Sequence, residues 1–171
     1  LTGSIQFLRA VLPHLREQGG GRIVQVSSEG GQIAYPSFSL YHATKWGIEG
    51  FVESVAKEVS PFGIDFIIAE PGPTATHFGD GLDRTQTMLT YEDTPAGEVR
   101  RALASGAFAI KGNAGNTVDA IIKTTDMPNP PLRLTLGSTA FESISHALKE
   151  RLESLEAYKE VALSADRDEP S

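Results

Sequence analysis

Residues 22–28 read Arg-Ile-Val-Gln-Val-Ser-Ser, and residues 64–70 read Ile-Asp-Phe-Ile-Ile-Ala-Glu. Both stretches are short, apolar and rich in β-branched side chains, which is typical of buried strands. Between them, residues 39–60 carry apolar side chains at helical spacing, and the pattern ends at Pro61 and Gly63. A strand, a helix and a second strand in this order predict two parallel strands of one sheet.

Elements of the same kinds flank this unit. A helix is predicted over residues 3–18, with a kink at Pro13 because proline cannot donate a helical hydrogen bond. A third strand is predicted over residues 132–136. The other predicted elements are helices over residues 95–110, 116–125 and 138–161, and loops over residues 29–38 and 77–92.

The alternation of helices with apolar strands predicts an α/β fold with a doubly wound parallel sheet, covered on both faces. Three strands are fewer than the roughly 5–6 of an ordinary sheet. Since the chain begins at Leu1 rather than Met, we expect it to be the C-terminal part of such a domain, with the N-terminal strands preceding it. Residues 1–163 would belong to the domain, and residues 164–171 would form a frayed tail.

Composition narrows the classes of function. The chain has no cysteine, which excludes disulfides, thiolate nucleophiles and Cys-ligated zinc, and we expect no metal. The formal net charge of −7 argues against nucleic acid and against an anionic membrane as partners. No apolar run approaches the roughly 20 residues of a membrane span. We expect a cytoplasmic protein, with which the lack of cysteine is compatible.

Tyr41 and Lys45 stand one helical turn apart, on one face of the predicted second helix. A phenol has a pKa of about 10 and is a poor base near neutral pH. An ammonium about 4 Å away attracts a phenolate by on the order of 4 kcal/mol at an effective dielectric of about 20, before the opposing desolvation is subtracted. We therefore expect the pKa of Tyr41 to be lowered, which suits general acid–base catalysis.

Ser28 ends a predicted strand, where open α/β sheets bind their ligands. Its hydroxyl can donate to a carbonyl oxygen that gains negative charge during a reaction. A Tyr-x-x-x-Lys pattern alone also fits a tyrosine packed on its helix beside a solvated lysine. The neighbours favour chemistry, because Ser28 lies thirteen residues before Tyr41, and Pro71-Gly72 and Thr76 follow the next strand.

Residues 21–28, 41–47 and 70–76 together resemble three consecutive blocks of the short-chain dehydrogenase/reductase family in its compact form. The resemblance is collinear from Leu1 to Thr76 and looser beyond. It implies a Rossmann-type domain that binds NADP or NAD, with NADP slightly preferred. It also implies hydride transfer between the nicotinamide and a small-molecule ketone or secondary alcohol.

The same resemblance implies roles for single residues. Tyr41 would be the general acid or base, Lys45 would lower its pKa and hold the nicotinamide ribose, and Ser28 would orient the substrate oxygen. These three are the candidate catalytic residues, and Ser27 would be structural. The candidate cofactor-binding residues are Tyr41, Lys45, Pro71, Gly72, Thr74 and Thr76.

Residues 77–107 would form the substrate lid, with Phe78, Met88 and Leu89 as its apolar lining. His42 is expected to face away from Tyr41, since one helical step turns it off that face. His77 is expected to be a surface residue of the loop.

The family's glycine-rich phosphate loop, ribose-reading residue and catalytic asparagine have no counterpart in the sequence. We expect them before Leu1, and we expect this chain alone to be inactive. The resemblance further implies a homodimer or homotetramer, formed through the first helix and a stripe of small residues on the second. Two alternatives stay open: a nucleotide-sugar epimerase or dehydratase of the extended family, and a non-catalytic, truncated binding or regulatory member.

Overall fold

The computed structural model describes residues 1–83, 85–107 and 110–166. Three parallel strands form one sheet, which confirms the predicted parallel arrangement, and their order in the sheet is β1-β2-β3. The strands are β1 (Gly21–Val26), β2 (Ile64–Pro71) and β3 (Arg133–Leu136). In this register Val26 lies opposite Ala69, and Pro71 lies opposite Leu136, so the carboxyl ends of all three strands meet at one edge.

The helices are α1 (Thr2–Glu17), α2 (Ser39–Val59), α3 (Pro95–Ser105), α4 (Ala114–Thr125), α5 (Ser138–Ala157) and α6 (Lys159–Leu163). Pro13 does not break α1, which runs on to Glu17. The helix predicted over residues 95–110 ends at Ser105, because Gly106 has a left-handed φ of 67° that terminates it. Tyr158 divides the last predicted helix into α5 and α6.

The central strand β2 is covered on both faces. Because alternate side chains of a strand point to one face, Phe66 and Ile68 project together, and they pack in the core with Leu8 of α1 and Val52 of α2. Ile67 on the opposite face is also fully buried, and α4 contacts β2 and β3. The sheet, α1 and α2 therefore hold the start of α2 against the carboxyl ends of the strands.

Two 3-10 helices, His77–Gly81 and Leu89–Tyr91, lie within the segment predicted as a substrate lid, and α3 follows them. Of the tail predicted over residues 164–171, residues 167–171 lie outside the described part of the chain. Within the described ranges, no helix combines the length and the apolar character needed to cross a membrane.

Candidate active site

Ser28 is buried at the sheet edge, two residues beyond the end of β1 at Val26, which stops short of the predicted strand end. Its backbone is extended, and its side chain caps the 3-10 helix Glu29–Gly31: the Gly30 N–H donates to Ser28 Oγ over 3.1 Å. A hydroxyl that accepts in this way still has its own proton to donate. The Ser28 hydroxyl oxygen is therefore held by the hydrogen bond that it accepts, and its own hydrogen is free to be donated.

Tyr41 lies in the first turn and a half of α2 and is half-buried. Its ring packs edge-on against Phe38 and Phe78, with 6.1 Å between ring centroids in each pair. Gly30 passes closely beneath the ring, and a Cβ on Gly30 would lie 2.9 Å from Tyr41 Cε1. Glycine at this position therefore lets the segment that follows β1 approach the tyrosine ring closely.

The pKa of Tyr41 differs from the sequence-based prediction. Burial raises it, a hydrogen bond with the Ser28 side chain lowers it in part, and the nearby Glu29 carboxylate raises it further. The prediction that Lys45 lowers the pKa of Tyr41 was therefore wrong. The Lys45 ammonium lies 5.7 Å from the Tyr41 ring centroid, and it donates its hydrogen bond to a different partner rather than to the phenol oxygen.

That partner is the backbone of Ser27. Lys45 Nζ donates to the Ser27 carbonyl oxygen over 3.1 Å. Burial lowers the pKa of Lys45, and the negative charge of Glu49 opposes this effect. An ammonium has three N–H donors, so two remain for hydroxyl or amide oxygens of a ligand. This donor set fits the ribose of a nicotinamide cofactor.

Ser27, predicted as structural, joins the site to a buried ionic network. Its hydroxyl donates to Glu49 Oε1 over 2.5 Å. Arg133 Nη1 donates to Glu49 Oε2 over 2.5 Å and to Glu70 Oε1 over 2.8 Å. Both glutamates are almost fully buried, 2% and 1% exposed, so the guanidinium compensates two charges that have left water. Arg133 Nη2 also binds Glu53 at the more exposed end of the network.

Sequence reasoning missed this network. The sequence does carry a sign of it. Glu49 stands among the apolar positions of the predicted second helix, and Arg133 stands inside a predicted strand. A charged residue at a buried position needs an opposite charge or hydrogen-bond partners. The sequence does not show that Arg133 is the partner of Glu49, since 84 positions separate the two residues.

The segment after β2 folds tightly against the start of α5. Gly72 N–H donates to the Leu136 carbonyl over 3.0 Å, and a Cβ on Gly72 would lie 3.1 Å from the Ala140 nitrogen. Thr74 Oγ1 donates to the Gly72 carbonyl over 2.9 Å, and Thr76 Oγ1 accepts from the Phe78 N–H over 3.3 Å. Together with Pro71, the last residue of β2, these residues form a compact ledge at the same sheet edge as Ser28.

The lid predictions meet different outcomes. Phe78 contacts the Tyr41 ring, as a residue of the site wall would. Met88 and Leu89 are exposed, and the structure places neither of them against Tyr41. His77, predicted to be a surface residue, is exposed and pairs with Asp80 through Nδ1 and Oδ2 at 3.1 Å.

The prediction that His42 faces away from the site was wrong. His42 is buried, and its Nδ1 lies 2.8 Å from the Gly30 carbonyl oxygen. Its Nε2 accepts a hydrogen bond from the Tyr35 N–H over 3.1 Å. The reason is the path of residues 29–38, which return over the first turns of α2 and surround the ring.

Residues 1–87 match the family model described as short chain dehydrogenase. The chain belongs to the short-chain dehydrogenase family. Its relatives include oxidoreductase BOA17 of Botryotinia fuckeliana, 32% identical over 96% of this chain and 60% of that protein. Another is a 3-ketodihydrosphingosine reductase of Bacteroides thetaiotaomicron, 31% identical over 79% of this chain and 51% of that protein.

A solved short-chain dehydrogenase from Streptomyces avermitilis superposes on the chain with a TM-score of 0.85 and 31% identity. The alignment covers 98% of this chain and 60% of that structure. The chain thus spans about half to 60% of the length of these short-chain dehydrogenases and oxidoreductases. Membership of an oxidoreductase family and a partial Rossmann-type fold confirm the resemblance drawn from the three sequence blocks.

Proposed function

We propose that the protein is an NAD(P)-dependent oxidoreductase in which Ser28, Tyr41 and Lys45 support hydride transfer between a nicotinamide and a ketone or secondary alcohol. The observation that carries the proposal is the convergence of Ser28 and Tyr41 on Gly30 at the sheet edge, with Lys45 one turn along α2: the Gly30 N–H donates to Ser28 Oγ over 3.1 Å, and a Cβ on Gly30 would lie 2.9 Å from Tyr41 Cε1. Two hydroxyls that meet in this way can both donate to one carbonyl oxygen.

In the direction of reduction, Ser28 and Tyr41 would bind the carbonyl oxygen of the substrate. Tyr41 would transfer its proton to that oxygen as negative charge develops on it. In oxidation, the Tyr41 phenolate would take the proton of the alcohol. Since burial raises the pKa of Tyr41, the phenol keeps its proton at neutral pH, which favours its use as an acid.

The cofactor would lie along the ledge formed by Pro71, Gly72, Thr74 and Thr76, with Lys45 donating to its ribose hydroxyls. A bound nicotinamide would supply or accept the hydride. The ledge offers two threonine hydroxyl groups and backbone groups to a ring, and the lack of a side chain on Gly72 lets the end of β2 pack against Ala140 of α5. We propose NADP or NAD, with the slight preference for NADP that the sequence resemblance suggests.

The substrate would be a small carbonyl compound or alcohol, enclosed by a lid of residues 77–107. Phe78 supports this placement, because its ring lies 6.1 Å from that of Tyr41. The 3-ketodihydrosphingosine reductase among the relatives carries a ketone substrate in its name, in agreement with this class. The domain would comprise residues 1–163, and residues 164–171 would be its tail.

We further propose a homodimer or homotetramer assembled through α1 and α2. Phe7 on α1 is 67% exposed, and the open groove between the two helices is lined by the apolar Leu12 and Phe51 together with the charged Arg9, Arg16 and Glu58. Apolar surface of this kind is buried when two copies pair across a two-fold axis.

The proposed activity is tested with the full-length protein, by following the oxidation of NADPH and NADH in the presence of a panel of ketones and aldehydes. We expect reduction of at least one carbonyl compound that requires added cofactor. A protein that binds neither nucleotide, in calorimetry over micromolar to millimolar concentrations, would contradict the proposal.

A further inference from the structure

We propose that His42 is a positioning residue that orients the Ser28 hydroxyl through the backbone of Gly30. The inference rests on the proposed function, because it concerns the donor that Ser28 offers to a substrate oxygen. It adds a residue that was expected to face away from the site and whose ring packs edge-on against that of Tyr41, with 5.8 Å between the centroids.

Gly30 is held at both ends of its backbone. Its N–H donates to Ser28 Oγ over 3.1 Å, and its carbonyl oxygen lies 2.8 Å from His42 Nδ1. The residue is also confined laterally, since a Cβ would lie 2.9 Å from Tyr41 Cε1 and 3.2 Å from His42 Nδ1. The position of Gly30, and with it the direction from which Ser28 receives a hydrogen bond, therefore depends on the histidine ring.

The two contacts of His42 define its protonation. Nε2 accepts from the Tyr35 N–H over 3.1 Å, so it carries no proton there. Nδ1 faces a carbonyl oxygen, so it must be the donor. The ring is neutral with its proton on Nδ1, and the Tyr35 ring packs edge-on against it at 4.4 Å.

This arrangement fixes what Ser28 can do. Because Ser28 Oγ accepts from the Gly30 N–H, its own hydrogen is directed away from Gly30 and is available to a substrate oxygen. Without the histidine donor, the Gly30 carbonyl loses its partner, so the Gly30 backbone can change its φ and ψ angles and move the N–H away from Ser28 Oγ. The hydroxyl would then sample other rotamers, and fewer of them would point at a substrate oxygen.

The two nitrogens of His42 can be separated by substitution. The amide of asparagine reaches the place of Nδ1 and can donate to the Gly30 carbonyl, whereas the amide of glutamine reaches the place of Nε2 and can accept from Tyr35. In the full-length protein we expect His42→Asn to stay within about threefold of the unmodified kcat. We expect His42→Gln and His42→Phe to lose at least about tenfold, less than the roughly 100-fold or more for deletion of an oxyanion donor.

Matched controls separate positioning from folding. His146, which is exposed on α5, is replaced by Asn and by Gln, and neither change should alter kcat. Thermal unfolding of every variant is measured, so that the two His42 variants are compared at equal folded fraction. Equal kcat for His42→Asn and His42→Gln, or a higher value for His42→Gln, would overturn the proposal.

A second readout does not depend on activity. Long-range ¹⁵N–¹H spectra of the imidazole groups in the full-length protein distinguish a protonated from an unprotonated ring nitrogen. We expect His42 to show a single tautomer with the proton on Nδ1, while exposed His146 exchanges between forms. If His42 carries its proton on Nε2, the positioning role is contradicted even if the enzyme is active. If His42 carries its proton on Nδ1 but the enzyme is inactive, the proposed function is contradicted instead.

Discussion

Lys45 donates from Nζ to the backbone carbonyl oxygen of Ser27 over 3.1 Å. This bond ties α2, which carries Tyr41, to the segment after β1, which carries Ser28. Lys45 is half-buried, which lowers its pKa, and the negative charge of Glu49 opposes this effect. Lys45 thus has a structural partner in the protein as well as free donors for a ligand.

Tyr41→Phe tests the assigned proton transfer. Loss of the hydroxyl removes the only group placed to donate a proton to the substrate oxygen in our proposal, and kcat for carbonyl reduction should fall by about 100- to 10,000-fold. Nucleotide binding, measured by calorimetry, should change little. Tyr158→Phe, at an exposed tyrosine between α5 and α6, serves as the control and should keep full activity. An undiminished Tyr41→Phe rate would refute the role.

Ser28→Ala removes the second donor to the substrate oxygen. We expect kcat to fall by roughly 100- to 1,000-fold, because the developing oxyanion loses one pre-positioned hydrogen bond. The variant also removes the acceptor for the Gly30 N–H, so thermal unfolding is measured in parallel. Ser54→Ala, on an outward part of α2, should leave both quantities unchanged. A Ser28→Ala enzyme of normal kcat would exclude Ser28 from the reaction.

Glu29→Gln tests the electrostatics around Tyr41. Glu29 is 5% exposed, and in the described part of the chain nothing donates to its Oε2. Burial raises the pKa of Glu29, yet the carboxyl is ionised at the alkaline pH where a tyrosine titrates. Its charge raises the pKa of Tyr41, so Glu29→Gln should lower that pKa.

The measurement is kcat/KM for alcohol oxidation as a function of pH in the full-length protein. The rate rises as Tyr41 loses its proton, so this rise should move to lower pH in Glu29→Gln. Glu98→Gln, at an exposed position of α3, should leave the profile in place. A shift to higher pH would show that Glu29 does not act on Tyr41 through its charge.

Arg133→Met tests the ionic network. Without the guanidinium, Glu49 and Glu70 are left buried without a compensating charge. The free energy of unfolding should therefore fall by about 3 kcal/mol. This value is near the low end for a broken buried ion pair, because Arg133 is partly exposed. Arg101→Met, at a surface pair with Glu92, should cost less than Arg133→Met, because water already screens that pair. Urea denaturation at neutral pH measures both changes.

The pH dependence of this loss has a definite sign. Burial already raises the pKa of Glu49 in the folded state, and loss of Arg133 raises it further. A carboxyl whose folded pKa is raised destabilises the fold above that pKa and costs nothing once it is protonated in both states. The deficit of Arg133→Met should therefore shrink as the pH falls from neutral towards 4. A deficit that grows on acidification would contradict this account.

Phe7→Glu tests the proposed assembly. A charge on the exposed face of α1 cannot be buried without a partner, so the mass of the full-length protein in light scattering should drop by at least half. Phe141→Glu introduces the same charge at an equally exposed phenylalanine of α5 and should leave the α1–α2 interface intact. A wild-type protein that is already monomeric would contradict the assembly itself.

The strands and α2 were predictable because their signals are local. Runs such as 22–26 and 64–68 are β-branched and apolar, and Tyr41 and Lys45 share a face simply by their spacing in a helix. The end of α3 was misjudged because the apolar pattern continues past Gly106, where a left-handed φ decides the boundary.

The partners of the site residues were not predictable, because loops and distant strands supply them. His42 acquires both of its contacts from the path of residues 29–38, which has no periodic pattern. Glu49 finds Arg133 across most of the chain. The pKa of Tyr41 was misjudged for the same reason, since Lys45 satisfies a backbone carbonyl that sequence spacing does not reveal.

Gly31 stands against the Glu49 carboxylate so closely that a Cβ would overlap it. The two positions consequently share one volume, which an acidic side chain fills from the helix. Neither position can therefore take a larger side chain without a change at the other. A shorter residue at position 49 would remove the partner that Arg133 has there, and Arg133 would keep its contact with Glu70. Replacements at positions 31, 49 and 133 are therefore expected to occur as correlated sets, and a library that varies one of them by itself should yield few folded clones.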